Sequence, residues 1–140
     1  MLVTQKKQYA LRAIFELAKQ KDMGPLKTAE IAKVQAIPLR FLEIILNRLK
    51  HAGLLEAKRG YHGGFQLKRS PAEITVEDIF TALEHPKEGA ACVSCISESD
   101  CPLFGGCAFM PLWEEMQTAI DSIFRNTTIQ KLLENEKSHR

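Results

Sequence analysis

The sequence predicts a mainly α chain built on a winged helix-turn-helix unit, followed by a cysteine loop and one long helix. Three observations carry this expectation. A short and a longer amphipathic segment, residues 29–34 and 38–52, are separated by the brief turn Gln35-Ala36-Ile37. Two alternating segments, 54–59 and 65–68, flank the run Gly60-Tyr61-His62-Gly63-Gly64, which is the pattern of a hairpin with a glycine-rich tip. All four cysteines fall within one stretch, as Cys92-x-x-Cys95-x(5)-Cys101-x(5)-Cys107.

Each element has its own signal. Thr4 is placed to cap a first helix over Gln5–Lys19, with Tyr9, Ala10, Ala13, Ile14, Leu17 and Ala18 on one face as core. Gly24-Pro25 breaks it. Thr28 is expected to cap the second helix, with Ile31 and Ala32 turned inward. Pro38 is expected at the first position of the third helix, where its missing N–H costs nothing. Phe41, Leu42, Ile45, Leu46 and Leu49 make the inward face of that helix, and Gly53 ends it at C′. Arg40, Glu43, Asn47 and Lys50 make its polar face. A hairpin directly after a recognition helix is a wing, and Lys58, Arg59 and His62 surround its tip.

Ser70-Pro71 closes the winged unit. Thr75 then caps a helix over 76–84, with Val76, Ile79, Phe80 and Leu83 on one side, and His85-Pro86 stops it. Pro111 opens a helix over 112–124 whose wide apolar stripe is Leu112, Trp113, Met116, Ile120, Ile123 and Phe124. Too little chain remains to cover it, so it packs back on the first helix or against a second subunit. Thr127-x-x-Gln130 reads as the capping box of a last helix carrying Ile129, Leu132 and Leu133, and the tail 134–140 reads as polar and frayed.

Charge separates two halves. Residues 1–69 hold 14 Lys and Arg against 5 Asp and Glu, a net of +9, whereas residues 70–140 hold 5 against 12, a net of −7. A basic half with a helix-turn-helix and a basic wing points to a polyanion, double-stranded DNA. A glycine-rich basic tip can approach phosphates closely and place arginine in a narrow minor groove. A redox carrier has no use for such a wing. No Ser-His-Asp set, phosphate-binding glycine loop or H-E-x-x-H motif argues for an enzyme. No charged-then-apolar leader or long apolar run occurs, so a reducing cytoplasm is the expected location. There, clustered thiols favour metal or redox chemistry over structural disulfides. One C-x-x-C knuckle with two wider steps is loose for zinc and does not match the bacterial ferredoxin run. The spacing favours a loop over a larger iron–sulfur cofactor, with zinc and free regulatory thiols as the alternatives.

Along nearly its whole length the chain resembles the Rrf-type (IscR-, NsrR- and CymR-like) winged-helix iron–sulfur regulators of bacteria. Tyr9-Ala10-Leu11-Arg12, Ile37-Pro38-x-x-Phe41-Leu42-Glu43, Leu49-x-x-Ala52-Gly53-Leu54-Leu55 and Arg59-Gly60-x-x-Gly63-Gly64-Phe65-x-Leu67 carry the resemblance, and Cys95-x(5)-Cys101-x(5)-Cys107 matches the cluster-binding members. The resemblance implies a cytoplasmic homodimeric transcription regulator, a repressor, whose wings straddle a palindromic DNA operator. It implies an iron–sulfur cluster, [2Fe–2S] or [4Fe–4S], held by Cys95, Cys101 and Cys107. Cluster members add a fourth, non-cysteine ligand at positions occupied here by Met110 or Gln8; Cys92, extra to the common pattern, is either the replacement ligand or a bystander beside a site completed by another group.

The expected organisation is therefore a winged helix-turn-helix DNA-binding domain over 1–84, a cysteine-rich cluster-binding loop over 85–110, and a long C-terminal dimerisation helix with a last helix over 111–140. Thr28, Pro38, Arg40, Glu43, Asn47, Lys50, Arg59, Gly60, Tyr61 and His62 are the expected DNA contacts. Leu112, Met116, Ile120, Ile123 and Phe124 are the expected dimer interface. The expected signal is iron–sulfur status, redox state or nitric oxide. The alternative is a winged-helix regulator without a cluster, controlled by thiol oxidation, zinc or a partner protein.

Overall fold

Helix α1 (Gln5–Lys19) forms the centre around which the other elements gather. Thr4 caps it by accepting the Lys7 N–H, and Ala10, Ala13, Ile14, Leu17 and Ala18 are buried along one face. The computed structural model describes residues 3–84, 101–103 and 105–139. In chain order the remaining elements are α2 (Thr28–Gln35), α3 (Leu39–His51), β1 (Leu55–Lys58), β2 (Gly64–Leu67), α4 (Val76–Leu83), α5 (Met110–Asn126) and α6 (Ile129–Ser138). A single 3₁₀ turn, Lys21–Met23, leads out of α1. Helix α1 packs against α2, α3, α4, α6 and β2. Its three buried alanines have no bulk beyond Cβ, which lets neighbouring helices approach closely while Ile14 and Leu17 fill the gaps.

The mainly helical fold with an antiparallel two-stranded hairpin is the one expected from sequence. Leu42, Ile45, Leu46 and Leu49 of α3 are buried, as are Val76, Ile79, Phe80 and Leu83 of α4. Thr75 caps α4 by accepting the Asp78 N–H at 3.1 Å, and Asp78 in return accepts the Thr75 N–H at 3.0 Å. Gly53, with φ 82°, follows the Ala52 cap of α3. The predicted stop at His85-Pro86 lies outside the described residues; α4 itself ends at Leu83.

Five local expectations need correction. Thr28 is the first residue of α2, not its cap: the N-cap position is Lys27, whose N–H donates to Glu30 at 3.0 Å. Pro38 is the N-cap residue of α3, with an extended ψ of 128°, and the helix begins one residue later. Phe41 is exposed at the rim of α3, its ring meeting Tyr9 edge-on at 6.5 Å. The cap of α6 is Thr128, which accepts the Lys131 N–H, not Thr127. The tail is helical through Ser138, and Lys19 of α1 pairs with Glu136 at 3.4 Å.

Two backbone junctions fasten the periphery. Leu26 and Phe65 exchange both N–H···O bonds, at 2.9 and 2.7 Å, so the strand-like lead into α2 extends the hairpin sheet. At the other side Thr75 and Thr128 form a bridge, with Val76 N–H donating to Thr127 at 2.9 Å and Ile129 N–H to Ile74 at 2.9 Å. The starts of α4 and α6 are thereby locked together, and Ile129 is fully buried. Helix α5 enters this junction through Phe124, whose ring packs edge-on against Phe80 with centroids 4.9 Å apart.

Gly64 is the tightest point of the first junction. Its φ is 149°, and a Cβ there would lie 2.2 Å from the Leu26 carbonyl oxygen. Gly64→Ala is therefore expected to cost about 2–3 kcal/mol of stability, the upper range for a single substitution. Urea unfolding followed by circular dichroism checks this; a midpoint equal to that of wild type would show that the Leu26–Phe65 pairing tolerates a side chain.

Candidate nucleic-acid interface and cysteine segment

The three-residue turn that aims α3 is held from behind by α1. Ala36 occupies the left-handed region at φ 52°, costly for a residue with a Cβ and sustained only where its surroundings fix it. Ile37 is buried, and its N–H donates to the Ala32 carbonyl at 2.9 Å. The Arg12 guanidinium donates to both the backbone carbonyl and the side-chain oxygen of Gln35. The Gln35 amide donates to Glu16 at 2.8 Å, and Lys19 lies 3.6 Å from the same carboxylate oxygen. Glu16 is only 5% exposed, so these partners are what make its burial tolerable. No sequence pattern marks Glu16, because its partner Gln35 lies 19 residues away in the chain.

With its inner face buried, α3 turns a row of polar side chains outward. Arg40, Glu43, Asn47 and Lys50 are all exposed, as expected from the sequence, and Pro38 is exposed at the helix entry. Thr28 is half-buried at the start of α2. Two residues on the outward line through Arg40 and Asn47 were missed, Ile44 and His51, and Leu39 at the start of the helix is exposed as well. The spacing 40, 44, 47, 51 was the available signal, since it traces one line along a helix. Ile44, Asn47 and His51 also line an open groove of about 600 Å³ between α3 and α4. Arg48, on the flank, donates to the Leu83 carbonyl at 3.1 Å and ties α3 to the end of α4.

The wing projects Arg59, Gly60, Tyr61 and His62, all exposed. The Gly63 N–H donates to the Gly60 carbonyl at 3.0 Å, closing the tip. A Cβ on Gly63 would lie 2.3 Å from the Lys58 carbonyl oxygen, so this close turn requires glycine. Tyr61 and His62 meet edge-on at 5.0 Å, and the Lys27 ammonium sits 5.0 Å from the Tyr61 ring centroid. The wing tip is thus braced against the entry to α2. Helix α3 and the wing are consequently both referred, through α1 and Leu26, to one scaffold.

Of the four candidate metal ligands, Cys92 and Cys95 lie outside the described residues. Cys101 and Cys107 are half-buried and in no disulfide, and they precede α5. No group of three or more metal-ligating side chains occurs among the described residues. On α5, Leu112, Met116 and Ile123 are 50%, 42% and 60% exposed, and Ile120 is half-buried. Phe124, expected at a subunit interface, packs against Phe80 of its own chain.

Residues 3–135 match the family model described as Rrf2, an iron-dependent transcriptional regulator. The chain is 30% identical over 136 residues to the HTH-type transcriptional regulator IscR of Serratia proteamaculans, spanning 97% of this chain and 81% of that protein. Among solved structures it is similar to IscR of T. potens, with a TM-score of 0.79, 26% identity, and coverage of 100% of this chain and 91% of that one. It is also similar to CymR of B. subtilis, described as the global cysteine regulator, with a TM-score of 0.74, 27% identity, and coverage of 94% and 95%.

Proposed function

Because this chain belongs to the Rrf2 family of transcription regulators, we propose that it is a DNA-binding repressor that senses iron–sulfur status, redox state or nitric oxide through a cluster in its cysteine segment. DNA binding and transcription regulation come with the family, whose members matched here are regulators, not enzymes. The observation that carries the sensing proposal is the gathering of every thiol between residues 92 and 107, with Cys101 and Cys107 half-buried and unbridged.

The DNA contacts are Thr28, Pro38, Arg40, Glu43, Asn47 and Lys50 on the helix-turn-helix and Arg59, Gly60, Tyr61 and His62 on the wing. Helix α3 enters the major groove, and the wing follows the adjacent backbone or minor groove. Glu43 cannot attract phosphate, but it can accept from cytosine N4, so it restricts sequence without adding affinity. No helix among the described residues is long and apolar enough to cross a membrane, and a cytoplasmic location suits a DNA-binding regulator. The three-part organisation 1–84, 85–110 and 111–140 follows from these roles.

Cys95, Cys101 and Cys107 would hold the cluster, with Cys92 as fourth ligand, because soft thiolates are the donors such clusters require. The donor set fits: the two described thiols are unbridged and half-buried. A bound cluster supplies a centre that changes charge and ligation with oxidant or nitric oxide. The chain's own part is to join that segment to α5, which begins three residues after Cys107. The exposed stripe Leu112, Met116 and Ile123, with Ile120 beside it, supports a homodimer across α5. Phe124 anchors the same helix to Phe80. A two-fold dimer reads a palindromic operator. The similarity to CymR favours one other reading, a cluster-free regulator governed by its thiols, by zinc or by a partner.

Three measurements check these assignments. Arg59→Ala is expected to weaken operator binding by about 1–3 kcal/mol at moderate salt, whereas Glu43→Ala broadens the sequences bound at nearly constant affinity. Equal binding by wild type and Arg59→Ala would remove the wing from the interface. Anaerobic purification is expected to give a coloured protein containing iron and sulfide, lost in Cys95→Ser, Cys101→Ser and Cys107→Ser. Cys92→Ser is expected to behave in the same way; an unchanged iron count and oxygen lability would make Cys92 a bystander, and a colourless protein with stoichiometric zinc would establish the cluster-free reading. Ile120→Asp places a charge in the α5 stripe at a cost of several kcal/mol, so light scattering is expected to find a monomer or aggregate. A soluble dimer would put the interface elsewhere.

A further inference from the structure

Ile44 is the one large apolar side chain on the outward line of α3. It is 57% exposed and lies between exposed Arg40, one turn before it, and exposed Asn47, three residues after it. At 100° per residue the buried residues Leu42, Ile45, Leu46 and Leu49 occupy the opposite side of the helix. Ile44 therefore adds nothing to the core of its own chain. In water an isoleucine there is not enclosed by its own chain; its neighbours on the same line, Arg40 and Asn47, are polar, while Phe41 and Leu39 on the adjoining side of the helix are exposed as well.

In the major groove the situation reverses. The apolar group that a base pair presents there is the C5-methyl of a pyrimidine, among otherwise polar edges. We propose that Ile44 is a specificity-determining residue that reads this methyl group, flanked by polar base contacts from Arg40 and Asn47. This inference rests on the assignment of α3 as the major-groove helix. The spacing suits it. Three to four residues of helix advance about 4.5–6 Å, and one base step advances about 3.4 Å, so the three side chains address neighbouring base pairs. Isoleucine also suits the task chemically, because its β-branch holds essentially one χ1 rotamer in a helix. The methyl is met by a side chain already in place, with little conformational freedom left to lose.

Thymine and 5-methylcytosine both carry the methyl, and the experiment separates them. The full-length chain, purified anaerobically, selects operators from a random duplex library. Each thymine of the selected operator is then replaced in turn by deoxyuridine, which removes only the methyl. One position in each half-site is expected to lose about fourfold in affinity, the factor supplied by burying one methyl group. In Ile44→Ala that loss is expected to vanish, while Ile44→Val retains it in part; both substitutions are at an exposed site and keep the wild-type circular dichroism spectrum. At the sensitive position, 5-methylcytosine is expected to bind more tightly than cytosine in wild type but not in Ile44→Ala, and the tighter of the thymine and 5-methylcytosine duplexes identifies the preferred base. The proposal is overturned if no thymine is methyl-sensitive, or if the sensitivity persists in Ile44→Ala. It is equally overturned if Ile44→Ala changes the oligomeric state and leaves methyl sensitivity intact, since the side chain then serves a protein contact. A wild-type chain that selects no sequence at all defeats the DNA-binding assignment itself, which separates that failure from the failure of this inference.

Discussion

Most of the fold depends on the burial of α1. Its small residues Ala10, Ala13 and Ala18 let neighbouring elements close in, and Ile14 and Leu17 are enclosed between them. Removing a side chain of that size from water is worth about 1.5–3 kcal/mol, but the larger consequence is geometric. The elements proposed to meet DNA, α2 and α3 directly and the wing through β2, rest on this one helix, as do α4 and α6. A regulator must hold a recognition helix and a wing at fixed separation across one stretch of duplex. A shared central helix achieves this without a large domain.

The polar contacts refine what burial establishes. Arg12, Gln35 and Glu16 tie the α2–α3 turn to α1 through hydrogen bonds that span about twenty residues of sequence. The left-handed Ala36 marks the turn as constrained by its surroundings and not by its own preference. On the other side, Leu26 fixes the hairpin to the entry of α2, and Arg48 fixes α3 to the end of α4. The side chains that face outward from this framework, Arg40, Glu43, Asn47 and Arg59, take no part in these contacts and are free to meet a duplex.

Features with a local physical cause were legible in the sequence. Thr4 and Thr75 cap their helices because a hydroxyl beside the start of an apolar period has one favourable use. The wing was legible because only glycine fits the tight approaches at Gly63 and Gly64. Where long-range contacts decide, the reading slipped. Thr127 and Thr128 carry the same hydroxyl, and the choice between them is made by the bridge to Thr75, 53 residues away. The last turns of α6 look frayed by composition, yet Lys19 reaches Glu136 across 117 residues. Phe41 sits where the inner face of α3 ends, exposed with its ring edge-on to Tyr9, a contact 32 residues away in sequence. Ile44 was overlooked because periodicity sorts apolar residues inward, and a functional surface is where that rule fails. The cysteines were the plainest chemical signal in the chain, although Cys92 and Cys95 lie beyond the described residues.

The Thr75–Thr128 lock gives α5 the mechanics of a lever. The helix is clamped at its Asn126 end by the Phe80–Phe124 contact and by the two-residue connection into α6. Its seventeen residues extend about 25 Å from that fulcrum toward Met110. A tilt of about 10° at the clamp therefore sweeps the far end by about 4 Å, more than the spacing of adjacent base pairs. Since α4 and α6 share the same clamp and both rest on α1, a displacement of the Met110 end of α5 would reach the helix on which α2 and α3 are packed.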